Sequence, residues 1–279
     1  MRTKNHIIIG LLAMLTFSGC NVREKQEKEA DIQLKRVEEL INSNSFNAAK
    51  GLIDSLNLQF PHLINKRRIA QALKDTIIRR ESARTLTYCN GILPIKIHEA
   101  DSILKNFRFE KDPKYQQYGN YIYKTQRTED NAFRNYLKCY TDENCDIYLI
   151  SNYCGTKIEH TSVLVSANDL FAQTDTIQTT EAANHTYNDG ETRREAITFK
   201  NNQDKGVAAF ISQYSNSIIK VKLIGKNSAS YTLAESDKKA IIETYNLWVV
   251  KKDIAQLKTE IQKAETRILK ILENSKQKN

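Results

Sequence analysis

The last part of the chain carries a heptad pattern, which constrains the fold more than any other feature. Apolar residues recur in alternating steps of three and four, the spacing of one stripe along an α-helix that packs against another helix. Ser236 can cap the start of this helix, and Asp237 lies where the helix dipole favours negative charge. We predict a long helix over residues 235–273 and a tail over residues 274–279. The stripe consists of Leu247, Val250, Ile254, Leu257, Ile261, Ala264, Ile268 and Ile271.

A single apolar stripe of this kind needs a partner. Residues 30–88 also have helical periodicity, with a break at Ser43 to Ser45 and another at Phe60-Pro61. We therefore expect the long helix to pack back on these N-terminal helices, and self-association in a homo-oligomer is the alternative. In the third of these helices, Ile69, Leu73 and Ile77 are expected on the buried face.

The helical hairpin over residues 30–63 resembles a single tetratricopeptide-type repeat. Phe46 is at the aromatic position of that repeat, Ala49 is at its small packing position, and Pro61 follows at the expected distance. The resemblance implies a pair of antiparallel helices. An unrelated helical hairpin fits the same residues.

The segment over residues 89–234 has a different pattern, with short aromatic or β-branched runs between polar turns. The runs are Tyr118 to Gln126, Phe133 to Thr141, Asp146 to Tyr153, Ser162 to Ser166, Phe171 to Ile177, Glu195 to Phe199 and Ser217 to Ile224. This residue pattern predicts an antiparallel β meander or sandwich, with a short helix at Gly206 to Tyr214 lying on the sheet. The fold class expected for the whole chain is therefore α+β. Turns are expected near Thr141 to Asn144, at Asn188-Asp189-Gly190 and at Gly225 to Ser228.

The N-terminus combines a basic start, an apolar run from Ile7 to Phe17, and a cysteine at position 20. The apolar run would form a helix of about 16 Å, too short for a bilayer core of about 30 Å. The string Phe17-Ser18-Gly19-Cys20 resembles the lipobox of bacterial lipoproteins. The resemblance implies removal of residues 1–19 and acylation of Cys20, with residues 20–29 as a tether. A secreted protein with an ordinary signal-peptide cleavage site is the alternative. Asn21 after the cysteine resembles the outer-membrane sorting pattern of Gram-negative envelopes.

The charge and hydropathy of the chain exclude some classes of protein. A mean hydropathy of -0.56 excludes a polytopic membrane protein. The formal charge is +9, and removing the leader with Arg2 and Lys4 lowers it to +7. We expect a membrane partner through the lipid anchor, a protein or glycan partner, and no nucleic-acid partner, because the chain would work in the envelope. No phosphate-binding or dinucleotide-binding motif is present, so no cofactor is expected.

Cysteine and histidine supply the candidates for chemistry. Cys139 and Cys145 flank a predicted turn and are the first choice for a disulfide in an oxidising compartment; free, partly buried thiols are the alternative. The cysteine and histidine spacings fit no familiar zinc site, so no metal is expected. His160 or His185, with a carboxylate and a hydroxyl, could serve a hydrolase, although no nucleophile-elbow motif frames them.

Tyrosine is abundant in the predicted sheet. Tyr121 and Tyr123 share one strand face, and Tyr136 and Tyr140 share one as well. These four side chains are the candidate binding face for sugar rings or for a protein. The alternative is that a half-exposed sheet favours tyrosine for cross-strand packing.

The chain as a whole resembles uncharacterised lipoproteins of Gram-negative bacteria in two segments, Ile150 to Gly155 and Tyr231 to Leu233. This resemblance implies a location and no activity. The sequence thus favours an envelope lipoprotein with a non-catalytic binding or scaffolding role. A hydrolase acting on glycan or peptide and a structural oligomeric spacer are the alternatives.

Overall fold

The computed structural model describes residues 4–127, 131, 133–188 and 193–276, with only the backbone described over residues 4–21. The predicted turn at Asp189-Gly190, the side chain of Cys20 and the last three residues of the tail lie outside this description. The chain divides into two compact units: Met1–Gly91 with Lys258–Asn279, and Ile92–Leu257.

The first unit is helical. It contains α1 (Lys4–Asn42), α2 (Phe46–Gln59), the first part of α3 (Ile64–Leu104) and the last part of α5 (Glu235–Lys276). The N-terminal helices pack against α5, which confirms the expected partner for the heptad stripe. The core of this unit consists of Ala30, Leu34, Val37, Ile41, Phe46, Ala49, Ile53, Leu56, Phe60, Leu63, Ala70 and Ile77.

Three features of the helices differ from the sequence predictions. Residues 20–29, expected as a tether, belong to α1, where Arg23 with Glu27 and Glu24 with Lys28 form ion pairs one helical turn apart. The expected boundary between residues 88 and 89 falls inside α3, which continues through Pro94. On α3, Ile77 is buried and Leu73 is half-buried, as predicted, but Ile69 is exposed and its neighbour Ala70 is buried in its place.

The second unit contains two antiparallel sheets, as the α+β prediction expected. The strands are β1 (Phe107–Glu110), β2 (Asn120–Tyr123), β3 (Tyr136–Asp142), β4 (Ile147–Cys154), β5 (His160–Ala167), β6 (Leu170–Gln173), β7 (Asn184–Asn188), β8 (Arg193–Phe199), β9 (Lys220–Gly225) and β10 (Ser228–Thr232). The six-stranded sheet has the order β1-β2-β3-β4-β8-β7, and the four-stranded sheet has the order β10-β9-β5-β6. Most of the strands coincide with predicted runs, and the structure adds β1, β7 and β10. The short helix predicted at Gly206 to Tyr214 is α4 (Val207–Gln213).

One face of the six-stranded sheet, here called the inner face, lies in the main core of this unit. Leu137, Leu149 and Phe199 on the inner face pack in one cluster with Val163 and Val221 of the four-stranded sheet. Because side chains alternate along a strand, the residues between them point to the opposite, outer face. Within the described part of the chain, none of the helices is long and apolar enough to cross a membrane.

Candidate functional site

The outer face of the six-stranded sheet holds a pocket, and the strand register explains its position. Tyr136 pairs with Asn152, Asn152 with Ala196, and Ala196 with His185, so these four residues form one row across four strands. The two middle residues are small, whereas the two outer residues are aromatic rings. The aromatic side chains at the two ends of the row therefore rise above the smaller side chains between them. The pocket lies over the smaller side chains.

The walls of the pocket come from the loop before β3 and from the edge strand β7. The Arg134 guanidinium lies 4.9 Å from the centre of the Tyr136 ring, and Tyr187 stands on the opposite side. The pocket has a volume of about 390 Å³, within the range of small-ligand sites. It is lined by Asn131, Arg134, Tyr136, Lys138, Ile150, Asn152, Tyr153, His185, Tyr187, Arg194, Glu195, Ala196 and Thr198.

Arg134 is held in place by a buried carboxylate. Its two terminal nitrogens donate to Asp237 Oδ2 and Oδ1 over 2.5 and 2.6 Å, and its Nε donates to Asn131 Oδ1 over 2.7 Å. Gln126 Nε2 donates to the same carboxylate over 2.9 Å. The hydrogen bonds to Asp237 raise the pKa of Arg134, although partial burial opposes this. A bidentate pair of this kind fixes the guanidinium plane, so this pocket wall is set before any ligand arrives.

Asn152 lines the pocket and carries an unsatisfied donor. Its amide nitrogen is buried and has no hydrogen-bond partner among the residues that the structure describes. A buried polar group without a partner costs free energy, which a ligand acceptor would recover. The pocket lining thus contains a donor that an oxygen acceptor would satisfy.

The four tyrosines predicted as a binding face do not lie on one face. Ile122 pairs with Tyr140, so Tyr140 and Tyr136 are on the outer face while Tyr121 and Tyr123 point to the inner face. Tyr123 packs edge-on against Phe107, with ring centres 5.4 Å apart, beside α5.

Only Tyr136 of the four lines the pocket. Tyr140, on the same face, stacks on Tyr148 with ring centres 4.6 Å apart. Burial, with Asp142 nearby, raises the pKa of Tyr140 to about 12. Its ring is therefore used in packing within the sheet. The other pocket aromatics, His185 and Tyr187, were missed as partners of Tyr136 because β7 was not predicted.

His160 belongs to a buried hydrogen-bond network on the inner face. Ser151 Oγ donates to His160 Nε2 over 3.1 Å, and His160 Nδ1 donates to Glu195 Oε2 over 2.9 Å. This order of hydroxyl, imidazole and carboxylate is the arrangement of a hydrolase triad. However, Ser151 and His160 are 0% exposed and Glu195 is 2% exposed, so a substrate has no access to the Ser151 hydroxyl.

Glu195 in this network has the connections of a structural carboxylate. Besides the imidazole, it accepts the backbone N–H groups of Ile158, Glu159 and His160, each over 3.0 Å. Burial alone would raise the pKa of Glu195, but the hydrogen bonds from His160 and these backbone groups lower it to about 2. The network joins β5 of one sheet to β4 and β8 of the other, so we assign it to folding. His185 lies on the outer face and does not join it.

The predicted disulfide between Cys139 and Cys145 is not formed, and both thiols are free, as are those of Cys89 and Cys154. Cys145 is in the turn after Asp142, and its backbone N–H donates to the carbonyl of Asp142 over 3.3 Å. The strand from Cys139 to Asp142 spans about 10 Å, beyond the separation of about 7 Å that a disulfide tolerates. Cys139 is fully buried, which raises the pKa of its thiol.

Metal binding has no support in the described part of the chain, where no cluster of three or more ligating side chains occurs. Comparison with known proteins finds no matching family model, no matching curated protein and no matching solved structure.

Proposed function

We propose that this chain is a lipid-anchored envelope protein that binds a saccharide, without catalysis, in the outer-face pocket. The observation that carries the proposal is the unpartnered amide of Asn152, one of the residues that line a pocket of about 390 Å³. A ligand oxygen at this point would receive a hydrogen bond that the protein itself does not use.

A saccharide fits the chemistry of the pocket because its rings have apolar faces and its edges carry hydroxyl groups. Tyr187 is half-exposed at one side, and Phe133 is highly exposed near Arg194. Such rings can cover a sugar face while Asn152 and Thr198 meet its hydroxyl groups.

The size of the pocket favours a small ligand over a folded protein. A stable protein interface buries about 800 Å² on each partner and needs an extended surface. A concave site of about 390 Å³ instead encloses a compact group.

The anchor in this proposal is supported by the sequence around Cys20. Acyl chains joined to this residue would hold the protein on a membrane, since each buried methylene contributes about 0.8 kcal/mol. Intact-mass measurement on the protein from its native envelope tests this part. We expect loss of residues 1–19 and an acyl adduct, and an unmodified chain that retains the leader would contradict it.

A glycan array tests the binding role. We would apply a labelled chain of residues 21–279 and compare it with Ala196→Trp, which fills the floor of the pocket. Thr186→Trp is the matched control, because Thr186 is on β7 but points to the other face of the strand. We expect binding to one saccharide class, a loss of about tenfold or more in Ala196→Trp, and no loss in the control. No bound saccharide, or equal binding by Ala196→Trp, would refute the proposal.

A further inference from the structure

The turn between α2 and α3 lies beside the first described side chains of α1. His62 Nε2 donates to Gln26 Oε1 over 2.8 Å, and Lys66 Nζ donates to Asp31 Oδ1 over 2.5 Å. Gln26 is six residues after Cys20, which corresponds to about 9 Å along a helix. The α2–α3 turn is therefore at the end of the helical unit nearest to the proposed lipid anchor.

Large apolar side chains project from this end. Leu58 is 82% exposed and Ile64 is 62% exposed, although their neighbours Leu56 and Leu63 are buried in the helical core. Val22 on α1 is also exposed. Exposed leucine or isoleucine is ordinary when scattered, but Leu58 and Ile64 flank the turn that lies nearest to the proposed anchor.

Two cations accompany these apolar residues. Arg67 donates to Asn57 Oδ1 and to the carbonyl of Pro61, over 3.3 and 3.1 Å, which holds it against the turn. Arg68 follows on α3, and both arginines line an open groove with Ile64. Within the described residues neither arginine forms an ion pair, whereas Lys66 pairs with Asp31. Asp75 also lines the groove and accepts a hydrogen bond from Gln71 over 2.8 Å, so the two arginines leave the groove with a net positive charge. This charge suits an anionic partner.

We propose that this end of the helical unit, defined by Leu58, Ile64, Arg67 and Arg68, contacts the surface of an anionic phospholipid bilayer. The two apolar side chains enter the interface, and the two arginines meet the headgroup phosphates. The contact rests on the anchor part of the proposed function, and it gives the protein a second membrane attachment beside the acyl chains.

The test uses a chain of residues 21–279, which has no acyl group. All of the described core residues are at Ala30 or later, so this chain keeps both cores. Sedimentation with vesicles of phosphatidylglycerol and phosphatidylcholine in equal parts measures the contact directly. We expect binding that weakens with added salt, and a fall of about tenfold or more in Leu58→Asp with Ile64→Asp. We expect a similar fall in Arg67→Glu with Arg68→Glu.

Ile95→Asp is the matched control, because Ile95 is also on α3 and is 61% exposed. It should bind as the unchanged chain does. Absence of vesicle binding by the unchanged chain, or an equal loss in the control, would overturn the proposal. Light scattering that shows a dimer broken by Leu58→Asp would also overturn it, since a second copy would then cover the surface. The acyl adduct at Cys20 is measured separately, so failure of the anchor and failure of this contact are distinguishable.

Discussion

Replacing Glu195 with glutamine tests the structural role of the buried network. The carboxylate accepts two backbone N–H groups at Oε1 and two N–H groups of His160 at Oε2. A glutamine can keep the first pair through its oxygen, but its amide nitrogen then faces the backbone donor of His160. The substitution thus removes a charge and leaves a buried donor without an acceptor.

The magnitude follows from the pKa of Glu195. The difference between the ordinary value of 4.5 and the value of about 2 in the folded protein corresponds to about 3 kcal/mol. Breaking a buried charged network typically costs about 3–5 kcal/mol, against a total domain stability of about 5–15 kcal/mol. We therefore expect Glu195→Gln to lower the free energy of unfolding by about 3–5 kcal/mol at neutral pH.

Urea unfolding followed by tryptophan fluorescence measures this loss. Trp248 is the only tryptophan, and its Nε1 donates to the carbonyl of Cys145 over 2.9 Å, so its signal reports the packing of the second unit. Glu159→Gln is the matched control: the Glu159 carboxylate is only partly buried and pairs with Lys157, so we expect a much smaller loss than in Glu195→Gln. Equal losses in Glu195→Gln and Glu159→Gln would refute the reasoning.

The same network predicts the direction of a pH effect. Because the pKa of Glu195 is depressed in the folded protein, its contribution is complete above about pH 4.5 and is lost as the pH falls towards 2. The unchanged protein should lose this contribution over that interval, and Glu195→Gln should not. Stability that falls equally in both proteins would contradict the assignment.

Three further predictions concern other parts of the second unit. Asp237→Asn should lower the free energy of unfolding by about 1–3 kcal/mol in urea, because it removes the charge that holds Arg134. Ser151 should not react with a fluorophosphonate probe in the folded protein, since its hydroxyl is fully buried; labelling abolished by Ser151→Ala would restore the hydrolase hypothesis. Thiol titration should find Cys145 reacting before Cys139 in the folded protein, and all thiols other than Cys20 free after unfolding; two missing thiols would support the disulfide.

The helices and most strands were predictable because their apolar periodicity repeats over many residues. The heptad stripe of α5 is sufficient to predict a helix. Residue alternation identifies β4 and β8, in which buried and half-buried positions alternate. The helical state of residues 20–29 also had a signal in the sequence, namely the opposite charges one turn apart at Arg23 with Glu27 and at Glu24 with Lys28.

The pocket could not be predicted because it depends on pairing between distant strands. Alternation shows that Tyr121 and Tyr123 share a face, but only the pairing of Ile122 with Tyr140 shows which face. Strand β7 is an exposed edge strand whose residues do not alternate between buried and exposed positions. The sequence therefore has no strand pattern that would predict His185 and Tyr187 in the pocket. The sequence predicted Asp237 only as an acidic residue near the start of a helix. Its pairing with Arg134 was missed because the two residues are more than a hundred positions apart in the sequence.

Side-chain amide NMR of Asn152 is the most direct test of saccharide binding in the outer-face pocket. A chain of residues 21–279 would be titrated with the saccharide that the array selects. The chemical shift of the Asn152 side-chain amide should change with saccharide concentration and saturate as the binding curve does. Ala196→Trp should abolish this change. Saturable binding that leaves the Asn152 amide unmoved would contradict the account.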